Sequence, residues 1–261
     1  MSKQKTKKKK NKSAGVLIVV LIILALAAFL CYRYLRVDTI LIEGNERFSD
    51  DRIIAMIDLP EQAHILTVDK QQITEQIEQE AYLRVDSIDI QLPDTIAVTV
   101  TEKTPSALIE YSGSVLLVDA ELSVLEMDGS AYIGKLPYIS GVSVEAVNPG
   151  RQIGCADEYK VSVTTEILKS LSAQGVLDDL SDIDLTDLND IRMQTDQGID
   201  IAFGQAERYD EKTKWIKKVY PTLLKDGVTA GTLDVSVPDM ATYRPAADNT
   251  AVLTEDSEED A

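Results

Sequence analysis

The chain of 261 residues carries 44 acidic and 26 basic residues, a formal net charge of −18, and is 44% hydrophobic and 27% charged. That balance belongs to a folded protein of one or two ordinary domains rather than a disordered chain. The charge is lopsided: residues 1–12 hold seven Lys and no acid, so the remainder carries −25. An acidic body of that size repels nucleic acid and anionic lipid, and no nucleic-acid function is expected of it.

The basic stretch reads instead as a topology signal. Residues 14–32 (AGVLIVVLIILALAAFLCY) contain no charge, and as a helix they span about 28 Å, close to the ~30 Å hydrocarbon core of a bilayer. Lys3, Lys5, Lys7, Lys8, Lys9, Lys10 and Lys12 precede the run, and only Arg33 and Arg36 follow closely. The excess predicts a cytoplasmic tail over 1–13, one transmembrane helix over 14–34 and an extracytoplasmic remainder. A cleaved signal peptide is the rival reading, resting on the small-x-small site Ala25-Leu26-Ala27. Against it, the apolar run continues through Phe29, Leu30 and Cys31. A lipoprotein site fits poorly, with bulky Leu30 ahead of Cys31. Cys155 lies far from Cys31, so no disulfide framework is expected.

Residues 36–104 predict a small α+β unit. Val37 to Ile42 is β-rich and ends at Glu43-Gly44-Asn45. Ser49 is a good N-cap, followed by Asp50 and Asp51, with Ile53, Ile54 and Ile57 on one helical face and Pro60 as the stop. A second helix begins near Asp69, with Gln72 placed as in a capping box and Ile73, Ile77 and Ala81 as its buried stripe. Two alternating strands follow, with Ile88, Ile90 and Leu92, then Ile96, Val98 and Val100, around the turn Pro93-Asp94. The result is a sheet covered on one side by two helices.

Residues 105–245 predict a mixed β-sheet domain with flanking helices. Residues 106–127 read as successive hairpins, with turns at Ser112-Gly113 and around Asp119. Residues 136–154 are punctuated by Gly and Pro. A helix covers about 157–174, with Val161, Ile167, Leu168 and Leu171 inward. Strands near 191–195 and 199–203 are joined by Asp196-Gln197-Gly198. A last helix over about 207–224 turns Trp215, Ile216, Val219 and Leu223 inward, with Pro221 straining its end. The terminal strand is read as Thr232 to Val237. The segment 246–261 is acidic, lacks periodicity and is expected to be disordered. The fold class is therefore α+β behind a single N-terminal transmembrane helix.

Candidate chemistry is sparse. His64 is the sole histidine, and nothing in the sequence aims it at a nucleophile. Cys155 reads as a small residue after a Gly turn rather than a catalytic thiol. No Cys/His cluster suggests zinc. The acid-rich run Asp178 to Leu185 lacks EF-hand spacing, and Ile183, Leu185 and Leu188 suggest a buried face with solvated acids opposite. With 44 acids, a carboxylate pair for glycoside hydrolysis is found anywhere and signifies little. No catalytic residue, metal, cofactor or small-molecule substrate is expected. What remains is a cluster of Leu233, Val235, Val237, Met240 and Tyr243 around the terminal strand. That strand is either a sheet edge with an open backbone ladder near residue 235 or an ordinary strand paired on both sides.

Several short patterns in fixed order resemble the FtsQ/DivIB family of bacterial cell-division proteins over nearly the whole chain. VDTILIEGN (Val37–Asn45) resembles the opening strand of a POTRA domain. Val100 to Ala107 carries V-x-E-x-x-P-x-A, and Leu136-Pro137-Tyr138-Ile139-Ser140-Gly141 resembles the LP-x-x-x-G turn. Gly204, the helix start Glu211-Lys212, and Gly231-Thr232-Leu233-Asp234-Val235 complete the series. Leu122 departs from the pattern, since the family commonly has Gly there. The resemblance implies a non-enzymatic divisome scaffold supporting septum formation. It would bind DivIC/FtsB-like and FtsL-like membrane-anchored coiled-coil proteins outside the membrane, with the POTRA-like unit aiding recruitment to the septum. It further implies that the partner segment pairs with the last strand, a surface mapping to Leu233, Asp234, Val235, Ser236, Val237, Met240 and Tyr243. The alternatives are an extracytoplasmic cell-wall hydrolase and a POTRA-type transport or chaperone module.

Overall fold

The computed structural model describes residues 12–60, 62–237 and 239–246. Most of the basic stretch 1–13, and the acidic segment from 247 onward that was expected to be disordered, lie outside the described residues. Helix α1 (Lys12–Tyr34) has 23 residues and is about 34 Å long. Its apolar side chains are exposed all round, from Val16 to Leu30. A helix apolar on every face, with Tyr32 near its end stacked on the His64 ring at 5.2 Å between centroids, suits a bilayer, and among the described residues only this helix is long and apolar enough to cross one. The chain divides into two compact units between Glu102 and Lys103.

In the first unit, strand β1 (Thr39–Glu43) is followed by helices α2 (Asp50–Ile54) and α3 (Lys70–Ile77) and strands β2 (Leu83–Gln91) and β3 (Thr95–Glu102). The sheet order is β1-β3-β2, with β1 parallel and β2 antiparallel to β3. Ile42, Ile88, Ile96, Val98 and Val100 from the strands form one core with Ile53, Ile57, Ile73 and Ile77. The Asp69 carboxylate caps α3, accepting from the backbone N–H of Gln71 and Gln72 at 2.9 and 3.3 Å. Ser49 precedes α2 without a side-chain capping bond. Ala81, expected on the stripe of α3, lies beyond the helix end.

Two sequence patterns meet in this unit. Gly44 has φ +91°, and a Cβ there would lie 2.2 Å from the carbonyl oxygen of Val100, so no other residue fits. Two residues along the same strand, the Glu102 carboxylate accepts from the backbone N–H groups of Glu46, Arg47 and Phe48 at 2.8, 2.8 and 2.9 Å, and from Arg47 Nε at 2.9 Å. The end of β3 thus ties down the turn that follows β1. Burial of the carboxyl favours its neutral form, but the N–H groups of Phe48, Glu46 and Arg47 and the Arg47 guanidinium outweigh burial and hold its pKa at about 2 against an ordinary 4.5.

The second unit begins with strands β4 (Ala107–Tyr111), β5 (Ser114–Val118), β6 (Val124–Glu126) and β7 (Tyr138–Ser140). Helix α4 (Glu158–Gln174) and strands β8 (Leu180–Asp184), β9 (Ile191–Thr195) and β10 (Ile199–Gly204) follow. Helix α5 (Tyr209–Lys225) and strands β11 (Gly231–Asp234) and β12 (Thr242–Pro245) complete it. One sheet of nine strands runs in the order β12-β11-β10-β9-β8-β7-β4-β5-β6. Ile183, Met193, Ile201, Phe203 and Leu233 from the strands share a core with Ile167, Leu168 and Leu171 of α4 and Ile216, Tyr220 and Leu223 of α5. The alternate residues Asp184, Arg192, Gln194 and Asp200 look outward. Gly175 ends α4 in the left-handed conformation, φ 62°, as C-terminal caps require.

Three features differ from expectation. The strand read as Thr232 to Val237 ends at Asp234, and a further strand, Thr242–Pro245, follows it. The short strands β7 and β8 fill the middle of the sheet, in stretches read only as a Gly- and Pro-punctuated segment and as a buried face with solvated acids opposite. Lys212, which the sequence reading did not place in the core, is wholly buried: its Nζ donates to the Gln205 carbonyl at 2.6 Å and lies 4.9 Å from the Phe203 ring centroid. Its long stem fills core space while its ammonium satisfies an otherwise buried carbonyl. Leu122, noted as a departure from the pattern in which Gly is common, adopts a left-handed backbone with φ +59°.

Replacing Glu102 with Ala leaves three backbone donors without their acceptor and is expected to cost about 2 kcal/mol, read as a lowered denaturant midpoint. Because the folded carboxyl titrates near 2 rather than 4.5, its stabilising effect is in force above pH 4.5 and is lost as pH falls from there toward 2. The wild-type protein should lose this increment on acidification, and Glu102→Gln should not.

Candidate docking edge

The two ends of the large sheet are finished differently. At the β6 end, the segment 149–153 runs alongside the strand. The Val124 N–H donates to the Arg151 carbonyl at 2.9 Å, the Gly150 N–H to the Val124 carbonyl at 2.8 Å, and the Ile153 N–H to the Leu122 carbonyl at 3.0 Å. That edge is covered. At the other end, β12 pairs antiparallel with β11, matching Thr232 with Arg244, Leu233 with Tyr243 and Asp234 with Thr242. Among the described residues, no strand lies on the outer flank of β12.

Strand β11 itself has no free flank. On its inner side it runs parallel to β10, matching Ile201 with Leu233 and Ala202 with Asp234. The Val235 N–H extends that ladder by donating to the Ala202 carbonyl at 3.0 Å. The open ladder expected near residue 235 is therefore filled on its inner side, and β11 on both. The available backbone lies one strand further out, on Thr242–Pro245.

Several contacts fix β12 in place. Arg244 reaches across the pair to Asp234 at 2.7 Å. The other Asp234 oxygen accepts from the Ser236 hydroxyl at 2.6 Å and the Ser236 N–H at 3.1 Å. The Ser236 hydroxyl lowers the Asp234 pKa most; burial opposes it, and the Ser236 N–H and Arg244 add to the lowering. The Tyr243 hydroxyl donates to the Ala230 carbonyl at 2.5 Å. Gly231 makes room for this ring, since a Cβ there would lie 2.6 Å from the Tyr243 oxygen. Before β12, Asp239 pairs with Arg208 at 3.3 Å, pinning the connection to the start of α5.

The seven residues implied by the resemblance fall into three groups. Leu233 and Val235 are wholly buried and serve the core. Asp234 and Ser236 brace the β11–β12 pair. Val237 and Met240 are exposed at 53% and 55%, and Tyr243 lies on the edge strand, so these three can meet another chain. Thr242 and Arg244, both exposed on that strand, were not singled out from sequence; the signal that marks them is their register opposite β11. His64 caps a short 3₁₀ turn, its Nδ1 accepting the Leu66 N–H at 3.4 Å. The Cys155 sulfur donates weakly to the Asp157 carbonyl at 3.8 Å. Neither contact places a nucleophile beside a base. Among the described residues, no group of three or more His, Cys, Asp or Glu is arranged to hold a metal ion.

Residues 35–103 match the family model "POTRA domain, FtsQ-type" and residues 107–240 the model "Cell division protein FtsQ/DivIB, C-terminal". The chain is 24% identical over 193 residues to the "Cell division protein FtsQ" of Syntrophotalea carbinolica, a match covering 73% of this chain and 67% of that one. It is 27% identical over 165 residues to the FtsQ of Koribacter versatilis, covering 62% and 46%. It is 22% identical over 169 residues to the "Cell division protein DivIB" of Clostridium acetobutylicum, covering 63% and 66%.

If the Asp234–Arg244 pair holds β12 to the sheet, Asp234→Ala should speed hydrogen exchange of the Thr242–Arg244 amides while leaving those of β9 protected. The accompanying loss of global stability should be about 1 kcal/mol. Because the folded Asp234 pKa is lowered, this bracing is in force above the ordinary carboxylate pKa and weakens as pH falls through and below it.

Proposed function

Because the chain belongs to the FtsQ/DivIB family of cell-division proteins, we propose that it is a membrane-anchored divisome scaffold whose β12 edge accepts a strand from a partner. The partners are DivIC/FtsB-like and FtsL-like membrane-anchored coiled-coil proteins, engaged outside the membrane in support of septum formation. The observation that carries this reading is the asymmetry of the sheet: one end is covered by its own chain, whereas among the described residues the other presents a strand with no neighbour on its outer flank. Strand addition supplies affinity through backbone hydrogen bonds and specificity through alternate side chains. The exposed Val237 and Met240 would give most of that specificity, with Tyr243 contributing the part of its ring that the core leaves open.

The orientation follows from the lysines before α1, which favour a cytoplasmic N-terminus. The domains are assigned as a tail over 1–13, the anchor over 14–34, a POTRA-like unit over 36–104, a β domain over 105–245 and an acidic segment over 246–261. The scaffold works by binding and without catalysis. The POTRA-like unit aids recruitment to the septum.

Neighbouring residues of a strand send their N–H groups to opposite flanks. Of Tyr243→Pro and Arg244→Pro, one therefore removes a donor to β11 and the other a donor facing outward. Each also loses a bracing contact, Tyr243 to Ala230 or Arg244 to Asp234, so affinity for the extracytoplasmic segments of the coiled-coil partners should fall at least tenfold, about 1.4 kcal/mol, in the variant that loses less stability. Equal, wild-type affinity in both variants would overturn strand addition. A fluorescent fusion of the full chain should concentrate at midcell in dividing cells; a uniform membrane signal would count against the division role.

A further inference from the structure

Helix α5 carries an exposed basic face although the chain beyond its lysine-rich first twelve residues is strongly acidic. Lys214, Lys217, Lys218 and Lys225 are all exposed and recur at the three- and four-residue spacings that align on one side of a helix. The acids on this helix, Asp210 and Glu211, are confined to its first turn, and Asp226 follows its end. Among the described residues, no carboxylate forms an ion pair with any of the four lysines. Lys218 lies 4.7 Å from the centroid of the half-buried Trp215 ring, so the stripe has an aromatic floor at its middle. Lys217 also donates to the Gly175 carbonyl at 3.5 Å and faces the Asp179 carboxylate, and Lys214 and Lys218 share a shallow depression with Glu211 and Asp239. These contacts offset only part of the repulsion within the row, which a further anion along it would relieve.

We propose that the stripe is occupied by the chain's own segment 246–261. That segment contains Asp248, Glu255, Asp256, Glu258, Glu259 and Asp260 and no basic residue. It leaves the structure from Pro245, which pairs with Gly231, and Gly231 follows Lys225 by six positions. Sixteen residues reach up to about 50 Å when extended, whereas the 17 residues of α5 span about 25 Å. The acids between Glu255 and Asp260 can therefore reach any lysine of the stripe. Exposed ion pairs are individually weak and screened by salt, but the tether raises the local concentration of the segment to the millimolar range. That converts weak pairing into a populated contact that dissolves as ionic strength rises. The inference stands apart from partner docking at β12 and survives or fails independently of it.

Zero-length carbodiimide cross-linking of the full chain in detergent micelles, followed by peptide mapping, tests this. Amide links should join Lys214, Lys217, Lys218 or Lys225 to acids of 255–260. They should fall severalfold at about 0.5 M salt, where the Debye length is near 4 Å. A mixture of isotopically light and heavy protein should give links within one isotope class; mixed links would assign the acids to a second copy and overturn the proposal. Links from the segment predominantly to other lysines, or links indifferent to salt, would also overturn it. As a second measurement, truncation after Pro245 should raise acylation of the α5 lysines at least twofold at low salt. Unchanged reactivity would contradict the contact.

Discussion

A β-sheet must dispose of the backbone N–H and C=O groups along its two outer strands, and this constraint organises the large sheet. At the β6 end, hydrogen bonds to 149–153 absorb them. At the other end, β11 is saturated by β10 and β12, so the unspent groups move to a strand of four residues. The neighbouring side chains act on that displaced edge. Asp234 and Arg244 clamp the last pair, and Gly231 clears space for the Tyr243 ring. Arg208, itself in the left-handed conformation with φ 49°, holds the connecting loop through Asp239. Buried Lys212 fixes the Gln205 carbonyl just ahead of that arginine.

The elements most legible in the sequence are those whose burial is one-sided and long. Helix α4 shows its stripe of Val161, Ile167, Leu168 and Leu171, and the β9–β10 hairpin shows strict alternation around Asp196-Gln197-Gly198. Strand β12 was not legible, for a physical reason. Only Tyr243 of its four residues turns toward the core, and an edge strand with Arg and Pro has no apolar alternation to read. Missing it displaced the expected edge inward by one strand and placed Leu233 and Val235, both at 0% exposure, on a surface that does not exist. Strand β8 was obscured in the same way, its two acids, Asp182 and Asp184, equalling in number its two buried residues, Leu180 and Ile183. Lys212 was missed because composition alone puts lysine outside. The nearby signals, Phe203 beneath its stem and a carbonyl needing a donor, belong to tertiary structure.

The short patterns that carry the family resemblance become physical statements once folded. Gly44 and Glu102 are 58 positions apart in sequence, yet each is required by the same corner: one because Val100 leaves no room for a Cβ, the other because three N–H groups in the following turn need an acceptor. Leu122 shows the converse. Its backbone, φ +59°, is the one glycine adopts without cost, and a leucine there incurs about 1 kcal/mol or more of backbone strain. Its side chain is wholly buried, and burying a leucine is worth about 2 kcal/mol. Packing therefore offsets the strain, and the turn is kept without the glycine.

The chemistry of β12 also bears on how selective the proposed docking can be. Pro245 has no N–H to offer, and Arg244 places a charge on the strand, devices by which sheet edges discourage indiscriminate pairing. An incoming strand thus finds a ladder of about three residues. At about 1 kcal/mol net per hydrogen bond, so short a ladder does not repay the entropy lost on association, which is at least about 4 kcal/mol. Side chains must supply the difference. Val237 and Met240, already about half covered, each contribute roughly 1 kcal/mol if fully covered by a partner. The backbone edge then sets the register and direction of the partner, while the apolar pair sets whether it stays. A segment with strand propensity but no apolar face opposite Val237 and Met240 would meet the same three-residue ladder and dissociate.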